Sequence, residues 1–271
     1  MFRRLSQLKC RCKAELDRSA NRSSDLRWRG VFLRCQAAAT SKRWREMMTA
    51  TQPELTLFHT PGACSRVTLN ALEELGLAFD DRPVDIFKGA QFSPDYRAVN
   101  PKAKVPALVV GGELLTETPA IILWLTERVP GETLLPGPTP LARAQAFADL
   151  VWCSNTLHPL ARTIRMPNRA TTGDPAPVRE AAIAAMTPLL ASIDARLAQQ
   201  PWWFGDRWSI VDVYLSWVLG MCEGGVDTSQ FPALVAHRDA VRARPSFERA
   251  LERETRALAA ARIELPGGGR L

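Results

Sequence analysis

No apolar run in this 271-residue chain approaches the ~18 residues that a helix needs to cross a bilayer. The strongest, Ala120 to Leu125, is far too short, which excludes a membrane-spanning helical protein. A disulfide framework is missing as well. Of six cysteines, Cys10, Cys12 and Cys35 fall in the first 52 residues and Cys64, Cys153 and Cys222 are widely scattered, so free thiols in a reducing compartment, the cytoplasm, are expected. Cys10 and Cys12 have no Cys or His nearby at zinc spacing, and no metal site is expected. Cys64 has no partner at Cys-x-x-Cys spacing, because Val67 stands there, which argues against a dithiol oxidoreductase. Internal repeats are lacking too.

The main body also lacks net positive charge, although the whole chain carries +7. Residues 1–52 hold 13 Lys/Arg and 4 Asp/Glu, a net of +9, which leaves 22 against 24, or −2, for residues 53–271. A slightly acidic body argues against nucleic-acid binding by the folded part. Residues 1–52 show no sustained amphipathic period and no long apolar core of a secretion signal, and their four acidic residues count against a transit peptide. They are read as a basic leader, disordered or lying ahead of a later start at Met47 or Met48. The 46% hydrophobic content is enough for a proper core in the rest.

What the chain does have is concentrated in Leu57 to Leu72, LFHTPGACSRVTLNAL. A short apolar run ends in a Pro-Gly turn, and Val67, Ala71 and Leu75 then repeat at helical spacing. Cys64 and Ser65 fall at the start of that helix. Free amides and the positive end of the helix dipole favour an anion there, so Cys64 is expected to tend toward thiolate.

From Glu54 the elements alternate. Leu55 to Phe58 reads as a strand, Cys64 to Leu75 as a helix closed by Gly76, Ala78 to Asp85 as a second strand, and Phe92 to Val99 as a short irregular helix. Pro106 to Val110 and Glu113 to Leu115 form a hairpin across Gly111-Gly112, the pair that a tight primed turn accepts. Thr118-Pro119 then opens a helix, with Thr118 as cap, that is apolar on nearly every side and should be buried between two layers. After the Pro/Gly-rich stretch from Pro130 to Pro140 the pattern is entirely helical, at 141–166, 176–199, 209–222, 231–243 and 246–261. Ser209 to Asp212 reads as a capping box, whose loss through Asp212→Ala should cost on the order of 1 kcal/mol or more.

Four motifs in this order, Pro61 to Ser65, Asn100 to Pro106 (NPKAKVP), Thr116-Glu117, and Gly205 to Asp212 (GDRWSIVD), resemble a bacterial glutathione S-transferase, closest to the beta class. The resemblance covers roughly residues 54–261. It implies an α/β thioredoxin-like N-terminal domain at 53–131 that binds glutathione, a linker at 132–140, an all-α C-terminal domain at 141–262 and a tail at 263–271. It also implies a homodimer, glutathione as substrate and no metal.

By that resemblance Val105-Pro106 is a cis pair whose backbone meets the cysteinyl part of glutathione. Read alone it is an ordinary trans proline opening an edge strand. Glu117 and Thr118 would receive the γ-glutamyl end, and Lys88 would reach the glycine carboxylate. His158 would face the thiol across the cleft, with Ser154 and Arg162 on the same helix face, Asn155 beside them as a further glutathione contact, and Pro159 bending the helix. A lone helix histidine is more often structural. The chain departs from the family at Val151, where asparagine is common, and at Pro159, where a basic residue is common. His59 stands where other classes place an activating tyrosine and receives no role. The catalytic set is then Cys64, His158 and Ser65, acting on a small apolar electrophile bound near Trp152, His158 and the loop from Met166 to Asp174. The leading activity is glutathione transfer. Disulfide reduction, dehalogenation or isomerisation on the same scaffold, or non-enzymatic binding, are the alternatives.

Overall fold

The computed structural model describes residues 54–129 and 134–265. The basic leader lies outside these residues, as do part of the Pro/Gly-rich linker and the end of the tail. The described residues belong to one compact unit.

Strand β1 (Leu55–His59) alternates buried and half-buried residues, so one of its faces carries Leu55, Leu57 and His59 into the core. It pairs in parallel with β2 (Asp80–Pro83) and antiparallel with β3 (Ala107–Val110). A hairpin adds β4 (Glu113–Thr116), giving the order β2-β1-β3-β4. Gly111 and Gly112 both take positive φ, 56° and 92°, as the expected primed turn requires. The second strand is shorter than its sequence suggests. Pro83 offers no amide to extend the ladder, and pairing ends after the Val84 amide reaches the His59 carbonyl at 2.8 Å.

Helix α1 (Arg66–Glu74) links β1 to β2, and its fully buried Val67, Leu69, Ala71 and Leu72 lie in the core. Helix α2 (Pro94–Val99) follows a 3-10 turn at Ala90–Phe92 and is capped by the Ser93 hydroxyl, which accepts the Tyr96 amide at 3.2 Å. Helix α3 (Thr118–Arg128) corrects two expectations. Its N-cap is Glu117, with Thr118 already inside the first turn. Nor is it buried all round: Ile121, Ile122 and Leu125 are, but Leu123 is 41% exposed and Trp124 is half-buried beneath the Arg128 guanidinium.

The helical half begins with α4 (Pro140–Trp152), which runs through a wide π turn (Cys153–Leu157) into α5 (His158–Arg165). Pro159 has no amide to return to the preceding turn, and the widened turn accommodates it. Helices α6 (Pro175–Leu197), α7 (Ile210–Cys222), α8 (Pro232–Arg242) and α9 (Pro245–Ala261) complete the bundle. Helix α7 is the centre, with every residue from Ile210 to Leu219 buried.

The capping box of α7 is present, and its carboxylate has more partners than a cap needs. Asp212 is fully buried and accepts the Ser209 amide (2.7 Å), the Ser209 hydroxyl (2.9 Å) and the Trp203 amide (2.7 Å), with His237 Nε2 at 2.8 Å. Asp212→Ala strands all of these buried groups, so the cost should reach about 3–5 kcal/mol, above that of an exposed cap. A urea titration measures it, and a loss below about 1 kcal/mol would contradict the network.

A second carboxylate makes stability pH-dependent. The His59 hydrogen bond, aided by Arg253, holds the Asp81 carboxyl down at about 2. An unfolded aspartate titrates near 3.9. The folded pKa is the lower one, so the stabilisation is complete above pH ~4 and fades as pH falls toward 2. In urea titrations the gap between wild type and Asp81→Asn should therefore close across that window.

Candidate active site

The turn that carries Cys64 is set by its neighbours. Thr60, Gly62 and Ser65 shape it: the Ser65 hydroxyl accepts the Thr60 amide at 3.0 Å and donates to the Thr60 carbonyl at 3.1 Å. Ser65 is thereby sealed, with no exposure, and lies outside the cleft wall, so the structure removes it from the catalytic set. Cys64 stands just before α1 and borders a cleft of about 1110 Å³ between the sheet domain and the helices.

A second loop meets it. Asn100, fully buried, accepts the Lys102 amide at 3.0 Å and donates to the Lys104 carbonyl at 2.8 Å, while the Tyr96 hydroxyl donates to that same carbonyl at 2.6 Å. These bonds hold the NPKAK segment, and Val105-Pro106 is cis. The Val105 carbonyl lies 3.8 Å from Cys64 Sγ, within reach of the thiol proton.

The head of α3 closes the third side. Glu117 has φ 71° and ψ 119°, a conformation that a side-chain-bearing residue adopts at a cost on the order of 1–3 kcal/mol. Lys102 Nζ reaches its carboxylate at 3.2 Å and Thr116 Oγ1 at 2.8 Å. Thr118 borders the cleft beside it.

From the helical side come Ser154, Asn155, His158 and Arg162, all in the cleft wall as their spacing predicts. His158 Nδ1 lies 3.1 Å from the Tyr214 hydroxyl, and its ring meets Trp217 edge-on at 4.6 Å. Burial, with Arg162 and Lys104 adding to it, pushes the imidazole down to about 4. At neutral pH it is uncharged. The Tyr214 phenol is pushed far up by burial, so it too stays neutral.

The expected Cys64 thiolate is not found. Burial outweighs the Cys64 and Ser65 amides that face the sulfur and the nearby charge of Arg162, and pushes the thiol up to about 11. Cys64 is a protonated donor at neutral pH. Two further placements depart from expectation. Lys88 is exposed and outside the wall, whereas Gln91, 8% exposed and with a buried Oε1 that has no partner, borders the cleft instead. Trp152 turns away to stack on Trp203 at 5.9 Å, and Trp217 is the tryptophan in the wall. His59 is fully buried with its Nε2 3.4 Å from Asp81, and it does not border the cleft.

Tyr214, Trp217 and Met221 all face the cleft, a stripe at helical spacing on α7. In a helix this apolar the stripe looks like core. The polar Tyr214 within it was the available signal. Among the described residues, no group of three or more His, Cys, Asp or Glu side chains is placed to hold a metal ion.

Comparison with known proteins agrees with this architecture. Residues 62–128 match the family described as Glutathione S-transferase, N-terminal domain, and residues 176–240 match Glutathione S-transferase, C-terminal domain. A maleylacetoacetate isomerase of Pseudomonas aeruginosa is 36% identical over 186 residues, covering 66% of this chain and 87% of the relative. A beta-class glutathione S-transferase of Sphingomonas chungbukensis superposes with a TM-score of 0.64 at 33% identity, over 73% of this chain and 98% of that one. A sphingomonad glutathione S-transferase complexed with glutathione gives 0.65 at 33% identity, over 74% and 98%. With a sheet domain and a helical domain matched in order, and identity sustained along most of a relative's length, the chain belongs to the glutathione S-transferase family.

Proposed function

We propose that the cleft binds glutathione and transfers its thiol to a small electrophile. The observation that carries this reading is the convergence of three elements on one point: the Cys64 thiol, the Val105 carbonyl and the conformationally costly Glu117 at the head of α3. The γ-glutamyl ammonium lies against Glu117, with its carboxylate at the first amides of α3, where the helix dipole favours an anion. The Val105 backbone pairs with the cysteinyl unit. Gln91, through its unpartnered Oε1, and Lys102 serve the rest of the peptide in place of Lys88. The glutathione bound to the sphingomonad relative supports glutathione as the ligand of this cleft.

Because Cys64 keeps its proton, its role is to donate a hydrogen bond to the ligand's sulfur. A donor that favours the thiolate over the thiol lowers the ligand's pKa, and each unit is worth about 1.4 kcal/mol. Neutral His158, held 3.1 Å from the Tyr214 hydroxyl, borders the same space as a hydrogen-bonding group, and with its pKa at about 4 it leaves the thiol proton to pass to solvent. The thiolate then attacks. The name of the Pseudomonas relative favours a second reading on the same parts, in which the thiolate adds reversibly to a conjugated double bond and the product is an isomer. The protonated state of Cys64 disfavours the mixed-disulfide route.

The protein works in the cytoplasm as a homodimer. Leu114 on β4, Leu123 on α3 and Leu141 on α4 are 39%, 41% and 69% exposed, an apolar allotment that a second copy would cover. No described helix is long and apolar enough to cross a membrane. Leu123→Asp should shift the sedimentation of the protein from dimer to monomer, and an unchanged profile would remove α3 from the interface.

Calorimetry with glutathione, and conjugation to 1-chloro-2,4-dinitrobenzene, test the site. Wild type and Cys64→Ala should both bind glutathione, while the rising limb of the variant's pH–rate profile moves up by about one unit, the scale of one hydrogen bond. Absence of glutathione binding by wild type overturns the reading. An unmoved profile would transfer the sulfur's activation from Cys64 to the backbone amides.

A further inference from the structure

The end of the cleft beyond the Cys64 thiol is charged in a way that the transfer reaction itself does not require. Seven Lys/Arg side chains border the cleft against two carboxylates, Glu117 and Glu223, in a body whose overall charge is −2. Both carboxylates are already met, Glu117 by Lys102 at 3.2 Å and Glu223 by Arg238 at 2.5 Å. Arg66 is consumed by Glu254. Among the described residues Lys104, Arg162, Arg165, Arg169 and Arg242 have no carboxylate partner, and three of these five lie on α5 and the turn after it.

Arg162 and Arg169 border the cleft, and among the described residues no carboxylate pairs with either. Between them Arg165 donates to the Glu223 carbonyl at 3.2 Å, which fixes the α5 terminus against α7. Arg162 sits one turn beyond His158, and its charge is felt at both that ring and the Cys64 thiol. The same stretch of wall supplies apolar surface from Met166, Trp217 and Met221. Cationic forks beside a thioether and an indole suit a ligand with an apolar body and an anionic end. Concentrating positive potential in a low-dielectric cleft also raises the local concentration of such a ligand.

We propose that the electrophile accepted here is a small organic anion, an aromatic or unsaturated carboxylate whose acid group is held by Arg162 and Arg169 while its electrophilic carbon faces the glutathione sulfur. This deepens the glutathione reading and rests on it. It also replaces the purely apolar electrophile expected from the sequence.

The probes are 4-chloro-3-nitrobenzoate and its neutral isostere 4-chloro-3-nitrobenzamide. In each, the sulfur of glutathione forms a bond to the chlorine-bearing carbon, chloride leaves with the bonding pair, and the thiol proton passes to solvent. Each kcat/KM is divided by the uncatalysed rate of the same probe with free glutathione, which removes their difference in intrinsic reactivity. Wild type should prefer the carboxylate, and Arg162→Gln should cut the carboxylate-to-amide ratio by about tenfold, the scale of one charge-assisted hydrogen bond. Reading a ratio within each variant cancels any loss of folded protein. Arg169→Gln should reduce the same ratio, and raised salt should reduce it in wild type. Equal use of the two probes by wild type, or a ratio unmoved in both variants, overturns the proposal. Calorimetry keeps the two levels apart. If wild type binds no glutathione, the reading beneath fails; if glutathione binding is lost in Arg162→Gln, that arginine serves the peptide's own carboxylate and this proposal fails alone.

Discussion

A carboxylate with no exposure to water persists as an anion only when its lone pairs are met, and those of Glu254 are met by one short stretch of chain. The Gly62 amide donates to it at 3.1 Å, and Arg66 donates through Nε at 2.8 Å. From the other side the Trp217 indole donates to the Gly62 carbonyl at 3.1 Å. Gly62 is therefore held at both of its backbone groups by two different helices, α9 and α7, and it takes φ 78° to do so. Two residues later comes Cys64. The depth of the thiol in the cleft, and with it the burial that keeps it protonated, follows from this clamp.

Further polar contacts between the two halves are built in the same style, beside an apolar core that both halves share. Glu73 on α1 receives Arg249 and Arg253 from α9, Arg253 also reaches Asp81 on β2 at 2.7 Å, and Arg244 reaches Glu74 at 2.6 Å. The Arg253 guanidinium lies over Phe79, 4.1 Å from the ring centroid, so the group is used for both packing and charge. These pairs are partly open to water and each is worth less than the buried Arg66–Glu254 pair, where breaking one member costs about 3–5 kcal/mol because its partner is left charged and dry. Apolar contacts would hold the halves together as well, but directional bonds also fix their relative rotation, and a cleft between halves needs that rotation fixed.

Much of this was legible in the sequence because it rests on local rules. The Gly111-Gly112 turn, the Ser209–Asp212 cap and the five helical spans past residue 140 depend on residues within a few positions of one another. The departures depend on distant ones. Whether Cys64 ionises is decided by burial against helices about 90 and 150 residues away, not by the α1 amides beside it. Thr118 carries the chemistry of a cap, yet the backbone turns at Glu117, at φ 71°, and the helix starts one residue earlier than that chemistry suggests. Ser65 and Lys88 are near the right turn and on the wrong side of it. Periodicity shows that a residue lies on a face; it does not show which of two packed layers that face meets. Trp152, expected beside the electrophile, packs on Trp203 for that reason.

The clamp on Gly62 joins residues 192 positions apart. A chain made from its amino end presents the Pro61–Ser65 turn well before Glu254, so the turn waits while the intervening helices are made for the group that finishes it. Until α9 docks, Arg66 has no partner and nothing holds the Gly62 amide. The sheet domain can take its topology before that moment; the thiol site cannot. Its appearance marks the docking of α9, which makes chemistry at Cys64 a report on whether that helix has arrived.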